Sequence, residues 1–172
     1  GLEVTRGVYA RPNALWARWT DVFENTTDSP IATDVVYYTN LGSDDAGIIY
    51  DTPGANGRAI TSWDGSGTDR DLAIAYGNGQ AFYVSDDGLD SYNGFDSVYI
   101  LHTITVPAGG KVALVHFILM NGVDTGLTAA GVTDRATAID AAAASLASGV
   151  GSDVSYLDWM TADQRAATIA NW

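Results

Sequence analysis

The 172-residue sequence predicts a mainly β protein, an antiparallel β-sandwich of about nine strands with two short C-terminal helices packed on it. Short apolar segments recur every 8–12 residues or so, with turn residues between them. Helical periodicity occurs only after Met120. We therefore expect residues 1–120 to form the sandwich core and residues 121–172 to form a helical extension of the same domain.

Three strands with alternating apolar and polar positions open the chain. They are predicted at Leu2–Ala10, Leu15–Asn25 and Ile31–Asn40. Turn residues separate them at Arg11–Asn13 and at Asn25–Pro30. This pattern is typical of consecutive antiparallel strands.

Four shorter strands follow, and loops rich in Gly and Asp separate them. They are predicted at Ile48–Asp51, Arg58–Trp63, Leu72–Tyr76 and Gln80–Ser85. Gly77–Gly79 has the composition of a tight hairpin turn, so we expect the last two of these strands to pair.

The strongest strand signal lies at Ser97–Val106 and Val112–Met120, on either side of a Pro/Gly turn at Pro107–Lys111. Both segments are apolar at nearly every position, which predicts central strands covered on both faces. The turn between them predicts a β-hairpin, and we expect this hairpin to form the centre of the sandwich.

Two helices are predicted after the sandwich. The first covers Asp134–Ala147, with Ile139, Ala143 and Leu146 as its apolar stripe. The second covers Ala162–Asn171 and begins with a capping box at Thr161–Gln164. We expect both helices to pack on an edge or an end of the sandwich, where they cover an open strand edge.

Composition excludes several classes of function. There is no cysteine, so disulfides, thiolate metal sites and cysteine nucleophiles are excluded. The net charge is −13, and 19 of the 21 acidic residues are Asp, a residue of turns and loops. Nucleic acids and anionic membranes need basic patches, so neither is expected as a partner. No apolar segment is long enough to span a bilayer.

Acidic loops are the candidate ligand sites, because Ca²⁺ prefers carboxylate and carbonyl oxygens. Plain Asx turns and a solvated acidic surface are the alternatives. The candidate calcium ligands are Asp44, Asp45, Asp86, Asp87 and Asp90. The candidate residues for binding a glycan or peptide are Trp63, Asp64, Asp69, Asp71, Asp86, Asp87, Asp90 and Tyr92. None of these loops is an EF-hand, since Ala75 stands where a loop starting at Asp64 would need Glu.

His102 and His116 are the only histidines, one on each arm of the central hairpin. If Val106 pairs with Val112, the two histidines face each other with Cβ atoms about 5 Å apart. Such a pair could bind a metal or act as acid and base. Both histidines lie in an aliphatic phase, so a pair of core residues held by hydrogen bonds is the alternative.

The remaining motifs are weaker indications of function. Asp124–Gly126 is the tripeptide of aspartic proteases, but those enzymes need two such carboxylates and the chain has one copy. No G-x-S-x-G elbow occurs. Aromatic residues are numerous and could stack on sugars or pack in the core. They include Trp16, Trp63, Tyr38, Tyr76, Tyr83, Tyr92 and Tyr99.

Several segments together resemble a module that recurs in very large bacterial extracellular proteins, including RTX-type adhesins and surface proteins. These segments are Val4–Tyr9, Ala17–Thr26, Asn40–Asp44, Val106–Phe117, Leu157–Arg165 and Asn171–Trp172. The resemblance covers nearly the whole chain and rests on turn and strand patterns. It implies secretion, a non-catalytic role and Ca²⁺ binding.

The sequence therefore favours a non-catalytic extracellular module of a bacterial surface or adhesin protein, acting as a spacer or as a binding unit for a glycan or peptide. The alternative is an ancillary domain of a secreted hydrolase, such as a protease or a polysaccharide-degrading enzyme. An enzyme that uses the histidine pair is a third possibility. The chain starts at Gly1 without an initiator Met, and we expect it to be a domain of something larger with neighbouring domains as partners.

Overall fold

The structure, a computed structural model, describes residues 1–41, 47–64, 70–85, 95–120, 129–150 and 153–172. Within these ranges the chain forms ten strands in two sheets, which confirms the mainly β fold class. The strands are β1 (Leu2–Ala10), β2 (Trp16–Asn25), β3 (Ile31–Asn40), β4 (Gly47–Asp51), β5 (Ala59–Asp64), β6 (Leu72–Ala75), β7 (Gln80–Ser85), β8 (Phe95–Val106), β9 (Lys111–Met120) and β10 (Thr168–Ile169).

The larger sheet has the order β1-β2-β9-β6-β5-β4, and the smaller sheet has the order β3-β8-β7. Neighbouring strands are antiparallel, except that the short β10 lies parallel to β9. The two sheets pack face to face. Ile60 and Ile74 of the larger sheet, for example, share one buried cluster with Val98 and Ile100 of the smaller sheet.

Strand β9 is covered on both faces, as its continuous apolar sequence predicts. On one face Val112 and Leu114 pack against Ile104 and Val106 of the smaller sheet. On the other face Val115, Phe117 and Leu119 pack against the helical layer. This strand is therefore the centre of a three-layer arrangement of small sheet, large sheet and helices.

The predicted hairpin of β8 and β9 is wrong, because the two strands belong to different sheets. The turn between them is bonded to other parts of the chain: Gly109 N–H donates to Thr27 O at 3.0 Å, and Asn25 N–H donates to Gly110 O at 3.0 Å. A chain that crosses between sheets lets the apolar faces of β8 and β9 bury each other, which edge-to-edge pairing would not do. The prediction that β8 is covered on both faces is also wrong, since Tyr99 and Thr103 on its outer face are exposed.

The predicted hairpin at Gly77–Gly79 is wrong for the same reason. Strand β6 lies in the larger sheet and β7 in the smaller one. Gly77 takes a left-handed φ of 74° there, and Asn78 N–H donates to the carbonyl of Asn171 at 2.8 Å. A Cβ on Gly77 would overlap that carbonyl, so this turn requires glycine.

The helices are α1 (Ala129–Gly149), a 3₁₀ helix (Val154–Leu157) that the sequence did not predict, and α2 (Ala162–Ala166). The predicted stripe of α1 is confirmed, since Ile139, Ala143 and Leu146 are all buried against the larger sheet. No helix in the described part of the chain is both long and apolar enough to cross a membrane.

The predicted last helix is too long. Its capping box at Thr161 and Gln164 is confirmed, but the helix ends at Ala166 and β10 follows. The side chain of Asn171 then closes the gap beside β9: it accepts from Val115 N–H at 3.0 Å and donates to Val115 O at 2.7 Å and Tyr76 O at 2.9 Å. Pairing with free backbone groups of β9 therefore replaces the last helical turns.

Candidate functional site

Most of the predicted ligand residues lie outside the described residues. These are Asp44, Asp45, Asp69, Asp86, Asp87, Asp90 and Tyr92. Asp64 ends β5, but its side chain is not described. The described residues bring together no group of three or more His, Asp or Glu side chains that could hold a metal. Calcium binding by the acidic loops stays a prediction.

Asp71 is described, and its position is structural. It is fully buried, and Arg135 of α1 donates to its carboxylate through Nε at 2.8 Å and through a terminal nitrogen at 3.1 Å. A buried bidentate pair of this kind occupies the carboxylate oxygens. Asp71 therefore links α1 to the start of β6, and its carboxylate oxygens are not accessible to a ligand from solvent.

Trp63 lies half-buried on β5. Its indole N–H is buried and has no hydrogen-bond partner among the described residues. The indole N–H of Trp63 is therefore not available to a ligand from solvent.

His102 and His116 do meet, but across the sandwich and not within one sheet. His102 comes from β8 and His116 from β9, and their Nε2 atoms lie 2.9 Å apart. Both side chains are buried, with exposed fractions of 5% and 0%. The predicted neighbourhood is correct, although the hairpin register from which it followed does not exist.

The pair is neutral at pH 7. Burial lowers the pKa of His102 to about 4. Burial is the main cause that lowers the pKa of His116 well below its ordinary value, and repulsion from a positive charge on His102 is the next cause. One ring must donate and the other accept, because two Nε2–H groups cannot share one hydrogen bond. His116 Nδ1 is buried without a partner in the described part of the chain. A bare nitrogen there costs less than an N–H group, so we infer that His116 donates to His102.

Aromatic rings surround this pair. Trp19 stacks on His116 with ring centroids 5.1 Å apart, and Tyr37 lies 4.4 Å from the same ring. The Tyr37 hydroxyl donates to Asp21 at 2.7 Å, and Arg6 donates to both oxygens of Asp21 at 2.7 Å. Burial, followed by the hydrogen bond to Asp21, raises the pKa of Tyr37. The cluster links β1, β2 and β3, and the direct contact between the histidine rings leaves no room for a substrate between them.

The outer face of the smaller sheet is the most conspicuous exposed feature of the described residues. Tyr38 of β3, Tyr99 of β8 and Phe82 of β7 stand directly beside each other across the three strands. Their exposed fractions are 55%, 39% and 50%. The rings of Tyr38 and Tyr99 lie 4.8 Å apart. We call these three residues the aromatic row.

Polar groups border the aromatic row. The Tyr38 hydroxyl lies 3.3 Å from Ser97 Oγ, and Thr103 donates to Asp34 at 2.6 Å further along the same face. Leu101 lies two residues along β8 from Tyr99, and its neighbours across the sheet are Val36 and Gln80. Val36 is 56% exposed. The face therefore combines flat apolar rings with hydroxyl, amide and carboxylate groups.

Sequence reasoning singled out Tyr38 and Tyr99 among the aromatic residues but missed Phe82. Adjacent positions on β3 carry Tyr37 and Tyr38, of which the first faces the core and the second faces solvent. Alternation alone cannot tell which tyrosine is inside, because both phases are apolar. On β7 the polar Gln80 lies in the same phase as Phe82, and that was the signal that could have pointed to an exposed Phe82.

Comparisons with known proteins support the fold but do not show a family or a function. Neither a protein-family model nor a curated protein matches the chain. Among solved structures, the chain is similar to one described as a kojibiose phosphorylase from the human microbiome, with a TM-score of 0.52 and 11% identity. The match covers 83% of this chain and 19% of that one. At this identity the likeness shows a shared fold, and the chain spans about a fifth of the length of that protein.

Proposed function

We propose that the chain is a non-catalytic, glycan-binding module of a larger extracellular bacterial protein. The aromatic row is the observation that carries this proposal. Three large rings, each at least 39% exposed, lie side by side on a sheet face that no other described element covers. Exposed clusters of this kind are uncommon on folded proteins and mark binding surfaces.

The geometry of the row suits a sugar chain. Adjacent strands lie about 4.8 Å apart, so the three ring-bearing positions span roughly 10 Å across the sheet, the length of a disaccharide. The rings of Tyr38 and Tyr99 are inclined to each other by 39°. The C–H face of a pyranose packs on a flat ring, while polar groups at the rim bond its hydroxyls. Sugars with all hydroxyls equatorial offer the flattest such face, and we therefore propose a β-linked glucan as the ligand class.

Charge supports a neutral ligand. With a net charge of −13, the chain repels nucleic acids and other polyanions. A peptide ligand is the alternative for this face, and a cationic peptide would gain from the same charge. The three side chains of the aromatic row are uncharged, and Asp34 lies further along the face and accepts a hydrogen bond from Thr103, which favours the neutral sugar over the peptide.

A second candidate is an ancillary domain of a secreted carbohydrate-degrading enzyme. Its support is that a similar fold occurs as about a fifth of a chain whose description names a sugar phosphorylase. In that case the module would hold the substrate near a catalytic domain elsewhere in the larger chain. The adhesin role keeps the same ligand class but has no catalytic neighbour, so the sequence flanking the module in its gene separates the two roles.

The test is affinity electrophoresis in gels containing a soluble β-glucan. Wild type should be retarded. A Tyr99→Thr/Phe82→Thr double variant should be retarded clearly less than wild type, since threonine keeps strand propensity while it removes two rings. Thr105→Ala, an exposed position elsewhere on β8, is the matched control and should be retarded like wild type. Equal retardation of the double variant would rule out the aromatic row as the site.

A further inference from the structure

Trp159 is an exposed tryptophan held in a strained backbone conformation. Its side chain is 75% exposed, and its φ is 63°, in the left-handed region. Bulky residues rarely adopt this region, and helices that end there usually have glycine. Burial of Trp159 itself cannot offset the strain, because most of the ring faces solvent. A strained residue on a surface is a candidate for function.

The turn that presents Trp159 is fixed at both ends. Before it, the side chain of Asp153 caps the 3₁₀ helix by accepting from Ser155 N–H at 2.9 Å. After it, Thr161 and Gln164 form the capping box of α2, with bonds of 2.9 and 3.2 Å. Trp159 therefore stands on a short turn between two capped helices.

The ring rests on a second aromatic residue. Tyr9 of β1 lies parallel to Trp159, with an interplanar angle of 18° and ring centroids 6.5 Å apart. The guanidinium of the buried Arg18 lies 5.3 Å from the centroid of Tyr9. Arg18 is held in turn by a 2.7 Å hydrogen bond to Tyr156 O. A fixed support of this kind keeps the free face of Trp159 available to a ligand.

A groove borders the turn that carries Trp159. Asp158 and Met160, the neighbours of Trp159, line a groove of about 310 Å³ together with Gln164 and Arg165. Asp158 and Arg165 are exposed. Trp159 itself does not line this groove, and Arg165 Nε donates to Met160 O at 3.1 Å. The exposed ring of Trp159 is the part of this turn that suits a sugar, whose C–H face stacks on flat rings.

We propose that Trp159 and Tyr9 form a second glycan-binding site, which takes the same β-linked glucan class as the aromatic row. This inference rests on the proposed function for its class of ligand. The 3₁₀ helix and α2 lie on the face of the larger sheet opposite the smaller sheet. The two sites therefore face away from each other, and one module would bridge two glucan chains.

The test is calorimetric titration of cellohexaose into wild type and two variants. Trp159→Gly removes the ring and suits the left-handed backbone, so its melting temperature should not fall below that of wild type. We expect two sites on wild type, and one each on Trp159→Gly and on Tyr99→Thr/Phe82→Thr. Trp159→Phe, which keeps a flat ring, should keep both sites, with the affinity at the second site reduced by no more than about tenfold.

The outcomes separate the two proposals. If Trp159→Gly keeps both sites, the second site is refuted while the aromatic row stands. If the Tyr99→Thr/Phe82→Thr variant keeps both and Trp159→Gly loses one, the second site stands and the proposed site at the aromatic row is refuted. If wild type binds no cellohexaose, both proposals are refuted.

Discussion

At the scale of single residues, the histidine pair at the centre of the sandwich links stability to pH. His102 and His116 share one hydrogen bond and are buried among aromatic rings, an environment that disfavours a charge on either imidazole. Adding a proton to either ring places a charge among apolar side chains, which is unfavourable. We interpret the pair as a structural element that has no access to a substrate.

Stability should fall on acidification. The pKa of His102 is about 4 in the folded protein and about 6.5 in the unfolded chain. Between these values the unfolded chain binds more protons, so the free energy of unfolding is fully kept above pH 6.5 and decreases as pH falls toward 4. His102 alone should account for a loss on the order of 2 kcal/mol between pH 7 and pH 5.

Urea unfolding at a series of pH values measures this effect. A His102→Gln variant should start less stable at pH 7 but lose less between pH 7 and pH 5 than wild type does. The same slope in both proteins would contradict a neutral buried His102.

At the scale of secondary-structure elements, two connections set the architecture. The turns after β6 and β8 carry the chain from one sheet to the other, where the sequence predicts hairpins. Each crossing turn is held by backbone bonds to a distant segment, the first to Asn171 and the second to the β2–β3 connection. Contacts with residues far away in sequence therefore determine whether two consecutive strands pair as a hairpin or lie in different sheets.

Gly77→Ala tests the first crossing. Its Cβ would overlap the carbonyl of Asn171, and its left-handed φ already disfavours alanine. We expect a loss of more than about 3 kcal/mol in the free energy of unfolding. Gly57→Ala is the matched control, because Gly57 has a similar φ of 70° but open space around its Cβ.

The control should lose only about 1 kcal/mol. Urea denaturation of both variants gives the comparison. Equal losses would mean that strain at φ, and not the contact with Asn171, determines the cost at Gly77.

The nine predicted strands show that the bounds of a strand can be predicted from sequence, whereas its partners in a sheet often cannot. Each was found within two residues of its expected bounds, because alternation and turn residues are local signals. Partners were not predictable for β6, β7, β8 and β9, because apolar strands fit a hairpin and a crossing equally well. β10 was missed because Thr168 and Ile169 gain their partner only when β9 is already in place.

The candidate site was predictable only in part. The sequence identifies Tyr38 and Tyr99 as aromatic residues, but their exposure depends on which face of the smaller sheet lacks a covering layer. Trp159 was not singled out, because its exposure and positive φ follow from the turn between two helices. Residue type is local information, whereas exposure is a property of the whole fold.

At the scale of the whole molecule, the chain is a three-layer sandwich with an acidic surface and no cysteine. Stability must come from its core, its hydrogen bonds and any bound ions. We propose that Ca²⁺ binds the acidic loops, whose candidate ligands are Asp44, Asp45, Asp86, Asp87 and Asp90.

Removal of calcium should lower stability. A ligand that binds only the folded chain raises the melting temperature, so EDTA should lower it and added CaCl₂ should restore it. MgCl₂ at the same concentration is the control and should restore less, since Mg²⁺ gives up its water reluctantly. A melting temperature that EDTA leaves unchanged would refute the calcium proposal.

We propose that the open face of the smaller sheet binds a glycan. This binding is tested most directly by titrating ¹⁵N-labelled protein with cellohexaose and recording which backbone amides shift. We expect saturable shifts at Tyr38, Phe82 and Tyr99 and their neighbours on β3, β7 and β8, and we expect the Tyr99→Thr/Phe82→Thr variant to abolish them. Saturable shifts elsewhere with none on these three strands, or no shifts at all, would contradict it.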